Sequence, residues 1–140
     1  MKNLEIYSDG GSRGNPGPAA VGVVIKFDQK VEEISECIGV ATNNVAEYTA
    51  VIHALNWVKE NINDTSISID FFLDSQLVVE QLKGNYKMKN EGLKPLFWTI
   101  RGLIMDLGGI VSFTHIPREE NCEADALVNK ALDNQLKGDK

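Results

Sequence analysis

The architecture follows from one segment, Ile67-Ser68-Ile69-Asp70-Phe71-Phe72-Leu73-Asp74. Its large apolar residues recur at every second position, which is the period of a β-strand. Phe72 adds an apolar side chain on the other face, as expected for a central strand that is covered on both sides. The segment closes with a carboxylate, Asp74, directly after the last apolar residue.

The same patterns predict the other elements of the chain. Strands are expected at 4–9, 20–28, 31–39 and 110–116, in addition to 67–73. Helices are expected at 44–60, from a cap at Ser75 through Leu82, at about 94–107 and at about 120–136. The segment 9–18 is rich in glycine and proline and is predicted to be a turn throughout. The order β-β-β-α-β-α-α-β-α predicts an α/β fold with a mixed five-stranded sheet flanked by helices, in one domain that covers residues 1–140.

Composition narrows the class of protein. The chain has 140 residues, of which 43% are hydrophobic and 24% charged, a normal globular mix. It contains no apolar run of the roughly 18–20 residues that a membrane helix needs. Its first residues enter a strand pattern without a signal-peptide core, and Cys37 and Cys122 have no metal-ligand spacing. We therefore expect a cytoplasmic protein with reduced thiols. The net charge of −6 argues mildly against a purely electrostatic nucleic-acid binder.

Four acidic residues stand where the predicted elements begin or end. Asp9 and Asp74 follow strands, whereas Glu47 and Asp125 lie near the starts of two helices. Such positions can converge at one edge of a sheet, where crowded carboxylates repel each other and require a counter-charge. Mg2+ prefers oxygen ligands, and a pair of such ions is a common device for phosphodiester hydrolysis. The sequence thus indicates a metal-dependent phosphodiester chemistry.

Each carboxylate also has a simpler explanation when it is taken alone. Glu47 borders an apolar helix face and could extend to solvent or pair with a lysine. Asp74 could cap the next helix, Asp9 could form an Asx turn, and Asp125 could complement a helix dipole.

Four short motifs occur in one order along the chain, and together they resemble type 1 ribonuclease H over residues 4–136. The first is Asp9-Gly10-x-x-x-Gly14-Asn15-Pro16-Gly17-Pro18 and the second is Thr42-Asn43-Asn44-x-x-Glu47. The third is Asp74-Ser75-Gln76, and the fourth comprises His115, Asn121 and Asp125.

The resemblance implies endonucleolytic hydrolysis of the RNA strand of RNA–DNA hybrids, leaving 5′-phosphate and 3′-hydroxyl ends. It implies two Mg2+ ions, replaceable by Mn2+, with Asp9 bridging both, Glu47 and Asp74 on one and Asp125 on the other. His115 would move protons or assist product departure. We expect a monomer without an obligate protein partner.

The resemblance also implies a set of substrate contacts. Side chains that donate or accept hydrogen bonds, small glycines and a basic residue suit the minor groove and phosphates of a hybrid. The expected contacts are Gly10, Gly11, Arg13, Asn15, Thr42, Asn43, Asn44, Gln76 and Asn121.

The segment 82–93 departs from family members that carry an extra helix and a basic loop after the third motif. It is too short for that helix and retains only three lysines and Tyr86, so we expect weaker hybrid binding than in those relatives. Trp98, in the following helix, is expected in the core. Two other readings stay open here, a resolvase-type nuclease of the same fold and a non-catalytic hybrid-binding module.

Overall fold

The computed structural model describes residues 2–63 and 66–138, with side chains up to residue 135. It contains five strands and four α-helices in this part of the chain. The strands are β1 (Lys2–Ser12), β2 (Gly17–Phe27), β3 (Lys30–Ala41), β4 (Ile67–Leu73) and β5 (Ile110–His115). The helices are α1 (Asn43–Asn61), α2 (Gln76–Lys83), α3 (Lys94–Leu107) and α4 (Cys122–Gly138), with a 3₁₀ turn at Arg118–Glu120.

The strands form one mixed sheet in the order β3-β2-β1-β4-β5. The pairs β1–β2 and β2–β3 are antiparallel, whereas β1–β4 and β4–β5 are parallel. The fold class and the order of the elements predicted from the sequence are therefore confirmed. The central position of the strand that contains Phe71 is confirmed as well, because β4 has a partner on both sides.

The sequence-based strand boundary at Asp9 is wrong. Strand β1 does not end there but continues to Ser12, because Gly10, Gly11 and Ser12 pair with Val21, Ala20 and Ala19 of β2. The parallel pairing with β4 stops at Tyr7. Asp9 thus lies just past the end of the parallel ladder, on a strand that the antiparallel ladder still holds. The segment 9–18 is a turn only between Ser12 and Gly17.

The helix starts follow their capping residues. Thr42 accepts a hydrogen bond from the Val45 N–H and caps α1, and Ser75 accepts one from the Val78 N–H and caps α2. Ser75, and not Asp74, therefore caps α2. Helix capping does not explain the carboxylate at position 74. Helix α4 begins at Cys122, two residues later than predicted, because residues 118–120 form the 3₁₀ turn instead.

Two glycines bring helices against the sheet. A Cβ atom on Gly10 would lie 2.2 Å from the backbone carbonyl carbon and oxygen of Ala46 in α1. A Cβ atom on Gly22 would lie 2.2 Å from the carbonyl oxygen of Ala124 in α4. The larger core cluster lies between the sheet and α1, α2 and α3, whereas Ala20 forms a smaller one with α4. Close approach on both faces carries the residues of α1 and α4 to one end of β1.

The structure contradicts the expected burial of Trp98. Its side chain is 69% exposed, because the residues of α3 that face the core are Ile100 and Leu107 with partial contributions from Phe97 and Leu103. Among residues 2–63 and 66–138, no helix combines the length and apolar composition needed to cross a bilayer.

We expect Gly102→Ala to raise the free energy of unfolding by about 0.5–1 kcal/mol. Gly102 lies inside α3, is exposed, and a Cβ atom there meets nothing within 4 Å. Alanine would thus lower the conformational entropy of the unfolded chain without a clash. Denaturant unfolding monitored by circular dichroism measures the change, and an unchanged or lower stability would contradict the helical position assigned to Gly102.

Candidate active site

Three carboxylates from three different elements meet at one end of the sheet. Asp9 lies on β1, Glu47 on α1, and Asp74 directly after β4. Each offers a carboxylate oxygen, and these oxygens all lie within 4.8 Å of one another. All three residues are partly buried. This arrangement suits a cation with oxygen ligands.

The fourth carboxylate joins from the other face of the sheet. Asp125 lies in the first turn of α4, and its side chain is within hydrogen-bonding reach of Asp9. The Asn129 amide donates to the carboxylate of Asp125 at 3.4 Å and to its carbonyl oxygen at 3.2 Å. Asp9 is therefore the residue at which the carboxylates from α1 and β4 meet the one from α4.

Crowding raises the proton affinity of this cluster. Burial, followed by the charges of Asp74 and Asp125, raises the pKa of Asp9 from 3.8 to about 8. Burial and the charge of Asp74 raise the pKa of Glu47 from 4.5 to about 7, although a hydrogen bond from Ser75 and the charge of Arg118 act in the opposite direction. Without bound cations, ionisation of these carboxylates destabilises the folded state.

The donor set fits a divalent cation on a second, geometric ground. Glu47 Oε2 is buried and has no hydrogen-bond partner, and Glu47 forms no lysine ion pair among the described residues. Asp9 Oδ1 accepts the N–H of the next residue, Gly10, and a bond to the adjacent residue does not make an Asx turn. Buried carboxylate oxygens without protein donors are costly unless a cation neutralises them.

Asn121 lies behind the carboxylates rather than on the surface. Its side chain is 1% exposed, and its Nδ2 donates to Asp74 Oδ2 at 3.1 Å and to the Ser8 carbonyl oxygen at 3.0 Å. The substrate contact at Asn121 stays a prediction, although its side chain presents almost no exposed surface to a ligand. Asn121 fixes the orientation of Asp74 against β1.

The carboxylates open onto a cavity of about 310 Å³. Asp9, Glu47 and Asp125 line it on one side. Arg118, from the 3₁₀ turn, also lines it and supplies a positive charge near Glu47. Arg118 was not predicted as a site residue, since a lone arginine in a polar loop carries no pattern. The cavity thus combines a carboxylate cluster with a cation that could face an anionic ligand.

Comparison with known proteins identifies the family of the chain. The model of the reverse transcriptase-like family matches residues 7–131. A ribonuclease HI of Halobacterium salinarum is 45% identical over 132 residues, which cover 93% of this chain and 64% of that protein. The crystal structure of LC11-RNase H1 in complex with an RNA/DNA hybrid superposes with a TM-score of 0.89 and 43% identity, covering 95% of this chain and 99% of that one. The chain belongs to the type 1 ribonuclease H family.

The chain covers only part of some of its relatives. The bifunctional protein Rv2228c of Mycobacterium tuberculosis is 39% identical over 132 residues, which are 91% of this chain but 35% of that protein. The ribonuclease H fold is thus the shared part.

Several predicted substrate contacts also support the local backbone. Asn43 Oδ1 accepts the Ser12 N–H at 2.9 Å, and Asn15 Oδ1 accepts the Asn43 N–H at 3.0 Å. These bonds tie the β1–β2 turn to the start of α1. Arg13 is exposed and donates to Asp133 at 2.7 Å, so its guanidinium is already paired.

A second cavity of about 440 Å³ lies at the start of α1. Asn15, Thr42, Asn43 and Asn44 line it together with three residues of the segment before α3, namely Asn90, Gly92 and Leu93. The structure therefore gathers four of the predicted contacts around the N-terminus of a long helix, which favours anions. The contribution of residues 90–93 was not foreseen, since only tertiary contact brings this segment there.

The remaining predicted residues are more dispersed. Gly10 and Gly11 line the first cavity beside Asp9, although Gly10 also packs against α1. Gln76 is exposed at the start of α2. His115 is exposed at the end of β5, in register with Leu73 of β4, and its imidazole bonds to no residue of the described chain. It thus lies beside the strand that delivers Asp74 but outside the cluster of carboxylates.

We expect the metal-free protein to lose stability as the pH rises from about 4 to about 8. The pKa of Asp9 is raised from 3.8 to about 8 and that of Glu47 from 4.5 to about 7, so the folded state binds more protons than the unfolded state in this window. Their protonated forms favour folding below pH 4, and this advantage is lost as the pH passes the folded pKa values. Thermal melts in chelator measure the effect.

Asp9→Asn is the matched variant, because it removes the carboxyl group whose pKa is shifted furthest. It is expected to melt above the wild type at pH 8 in chelator, with a difference that shrinks at pH 5. Parallel curves for the two proteins across this range would contradict the proposed charge repulsion.

Proposed function

We propose that this chain is an endoribonuclease that hydrolyses the RNA strand of RNA–DNA hybrids and leaves 5′-phosphate and 3′-hydroxyl ends. The observation that carries the proposal is the cluster of Asp9, Glu47 and Asp74, with a buried, unpartnered oxygen of Glu47, at a cavity that also receives Asp125. The solved relative named for its complex with an RNA/DNA hybrid supports the choice of substrate. The preferred metal is Mg2+, with Mn2+ as a substitute.

The four carboxylates and Asn121 have different roles in this proposal. Asp9, Glu47 and Asp74, together with Asp125 beside Asp9, are the residues that would hold the ions. Two ions bound there would supply a water of lowered pKa and positive charge beside the reacting phosphate. Asn121 holds Asp74 in orientation, which limits the rearrangement that ion binding requires.

The protein groups around the cluster orient the phosphate and the proton. Arg118 lines the cavity and offers a guanidinium to a phosphate oxygen as negative charge develops on it. His115, exposed beside the site, exchanges protons with solvent and with the departing product. The charge of Arg118 also keeps the pKa of Glu47 below the value that burial alone would give.

The cavity at the start of α1 accepts a phosphate of the DNA strand. Asn44 belongs to the first turn of a 19-residue helix, so the helix dipole and the Asn44 N–H favour an anion there, whereas the Asn43 N–H is already donated to Asn15. A second contact at a distance from the carboxylates would fix the register of the hybrid and present its RNA strand to the cluster. Gly11, which lines the cavity beside Asp9, leaves room for the minor groove, whereas the missing side chain of Gly10 makes room for α1.

The proposal includes the setting of the enzyme. The 140 residues act as one ribonuclease H catalytic domain, as a monomer in the cytoplasm, and act on hybrids without an obligate protein partner.

Cleavage of one end-labelled RNA tests the activity. The RNA is presented with Mg2+ as a hybrid, as a single strand and as an RNA duplex, and labelled duplex DNA is run beside them. We expect cutting confined to the hybrid and abolished by chelator. Cutting of duplex DNA instead would favour a resolvase-type nuclease, and no cutting with either Mg2+ or Mn2+ would favour a hybrid-binding module.

A further inference from the structure

The positive charge of the chain is concentrated in one segment. Residues 83–101 contain five cations (Lys83, Lys87, Lys89, Lys94 and Arg101) and one acid, Glu91, which leaves nine of the fourteen cations and nineteen of the twenty acids for the rest of the chain. Lys83, Lys87 and Lys89 are exposed, whereas Lys94 is half-buried and paired with Glu91 at 2.8 Å. In a protein of net charge −6, this segment is where a polyanion would be attracted.

Two aromatic side chains are exposed in the same segment. Trp98 is 69% exposed and Tyr86 is 48% exposed. The ring of Trp98 stacks on the ring of Phe97, with centroids 5.5 Å apart and planes inclined by 8°. Phe97 packs against the core, so the indole rests on a fixed support while most of its surface is exposed to solvent. An indole held in this way costs little entropy when a flat ligand stacks on it.

Arg101 joins the two parts of this surface. Its guanidinium lies 5.0 Å from the Phe97 ring centroid and donates to the Leu82 carbonyl oxygen at 2.8 Å. Tyr86 is held on the α2 side by its N–H, which donates to the Glu80 carbonyl oxygen at 3.2 Å. The turn after α2 and the first half of α3 are therefore connected. We call Lys83, Tyr86, Lys87, Lys89 and Trp98 the basic aromatic surface.

The segment that carries the basic aromatic surface also supplies residues to the cavity at the start of α1. Asn90, Gly92 and Leu93 line that cavity, and Lys89 and Lys94 flank this stretch in the chain. A nucleic-acid strand with a phosphate in the cavity would thus pass next to the basic aromatic surface. Because the carboxylates line a different cavity, this contact is separate from the site of cleavage.

We propose that the basic aromatic surface binds a single-stranded extension of the hybrid, with an unpaired base stacked on Trp98. In a duplex, the faces of the bases are covered by their neighbours, so an exposed indole finds a partner only where bases are unpaired. The lysines follow the phosphates of the same strand. The preferred substrate is therefore a hybrid that continues into a single strand. This inference rests on the proposed function for the hybrid, but it concerns a separate surface.

Fluorescence tests the proposal without cleavage. The chain has two tryptophans, so Trp57→Phe leaves Trp98 as the only indole. In chelator, we expect its emission to be quenched by a thymidine oligonucleotide of about ten nucleotides. Quenching by a blunt hybrid should be weaker than by the same hybrid with a single-stranded tail. The absence of quenching with both the thymidine oligonucleotide and the tailed hybrid would overturn the proposal.

Affinity measurements with labelled substrates add a second readout. Trp98→Ala is expected to weaken binding of the tailed hybrid by roughly five- to a hundredfold, and to change binding of the blunt hybrid by less than about twofold. Met105→Ala is the matched control, because Met105 is 80% exposed on the same helix but lies outside the basic segment. An equal loss on both hybrids, or an equal loss with Met105→Ala, would overturn the stacking of an unpaired base.

The two proposals fail in different ways. Tail-dependent binding in chelator without hybrid cleavage in Mg2+ would contradict the proposed function alone. Normal hybrid cleavage with no effect of the tail would contradict the role of Trp98 alone.

Discussion

Replacing Asp74 by Asn is expected to lower the rate of hybrid cleavage by a factor on the order of 10²–10³ or more. The asparagine keeps the size of the side chain and an oxygen that can accept the Asn121 amide, now at 3.1 Å from Asp74 Oδ2. What it removes is one negative charge from a group whose oxygens lie within 4.8 Å of one another. Single-turnover cleavage in Mg2+ measures the loss.

Asp70→Asn is the control for this variant. Asp70 lies on β4 four residues before Asp74. Its carboxylate accepts a hydrogen bond from the Ser112 hydroxyl at 2.6 Å and is not part of the carboxylate cluster. We expect Asp70→Asn to change the cleavage rate by less than about twofold. We also expect Mg2+ to raise the melting temperature of the wild type and of Asp70→Asn, and to raise that of Asp74→Asn by less. Full activity in Asp74→Asn would contradict the assigned site.

Gly10→Ala is expected to cost about 3 kcal/mol of stability and to abolish most cleavage. Its Cβ atom would lie 2.2 Å from the Ala46 carbonyl and 2.5 Å from the Glu47 nitrogen, distances at which α1 must move away from β1. Because Glu47 is the next residue of that helix, the movement also separates its carboxylate from Asp9. Denaturant unfolding and hybrid cleavage measure the two effects.

Gly11→Ala is the matched control for stability. A Cβ atom on Gly11 meets its nearest neighbour, Val128 Cγ1, at 3.7 Å, an ordinary contact. The change in unfolding free energy should be below about 1 kcal/mol. If Gly10→Ala does not fold, the stabilising Gly102→Ala background allows the comparison to be repeated. Equal stabilities for the Gly10 and Gly11 variants would contradict the direct packing of α1 on β1.

Local patterns were sufficient for the elements themselves. The alternation in Ile67–Leu73 predicted β4, and Thr42 and Ser75 act as the caps that their residue types favour. Helix α3 has the predicted bounds, because Pro95 suits its first turn and Gly108 ends it. These signals depend on residues close in sequence, so no tertiary knowledge is needed to read them.

Local sequence patterns did not predict which of these residues are buried or how far β1 pairs with β2. Trp98 has an apolar side chain on an amphipathic helix, and only the angle at which α3 lies on the core decides that this residue faces solvent. Asn121 sits in a polar loop and was expected to contact substrate, yet it is buried behind Asp74. Strand β1 continues beyond Asp9 because β2 supplies partners, which is a non-local contact.

The sequence by itself determined the order of the elements, the caps and the four acidic residues, because these are properties of side chains and of their spacing. Only the tertiary structure decided that Asp9, Glu47 and Asp74 share one site, that Asp125 reaches it from the opposite face, and that Arg118 lies beside them. The physical reason is the close approach of α1 at Gly10 and of α4 at Gly22. Packing on the two faces forces like charges together, and the pKa values of Asp9 and Glu47 rise as a result.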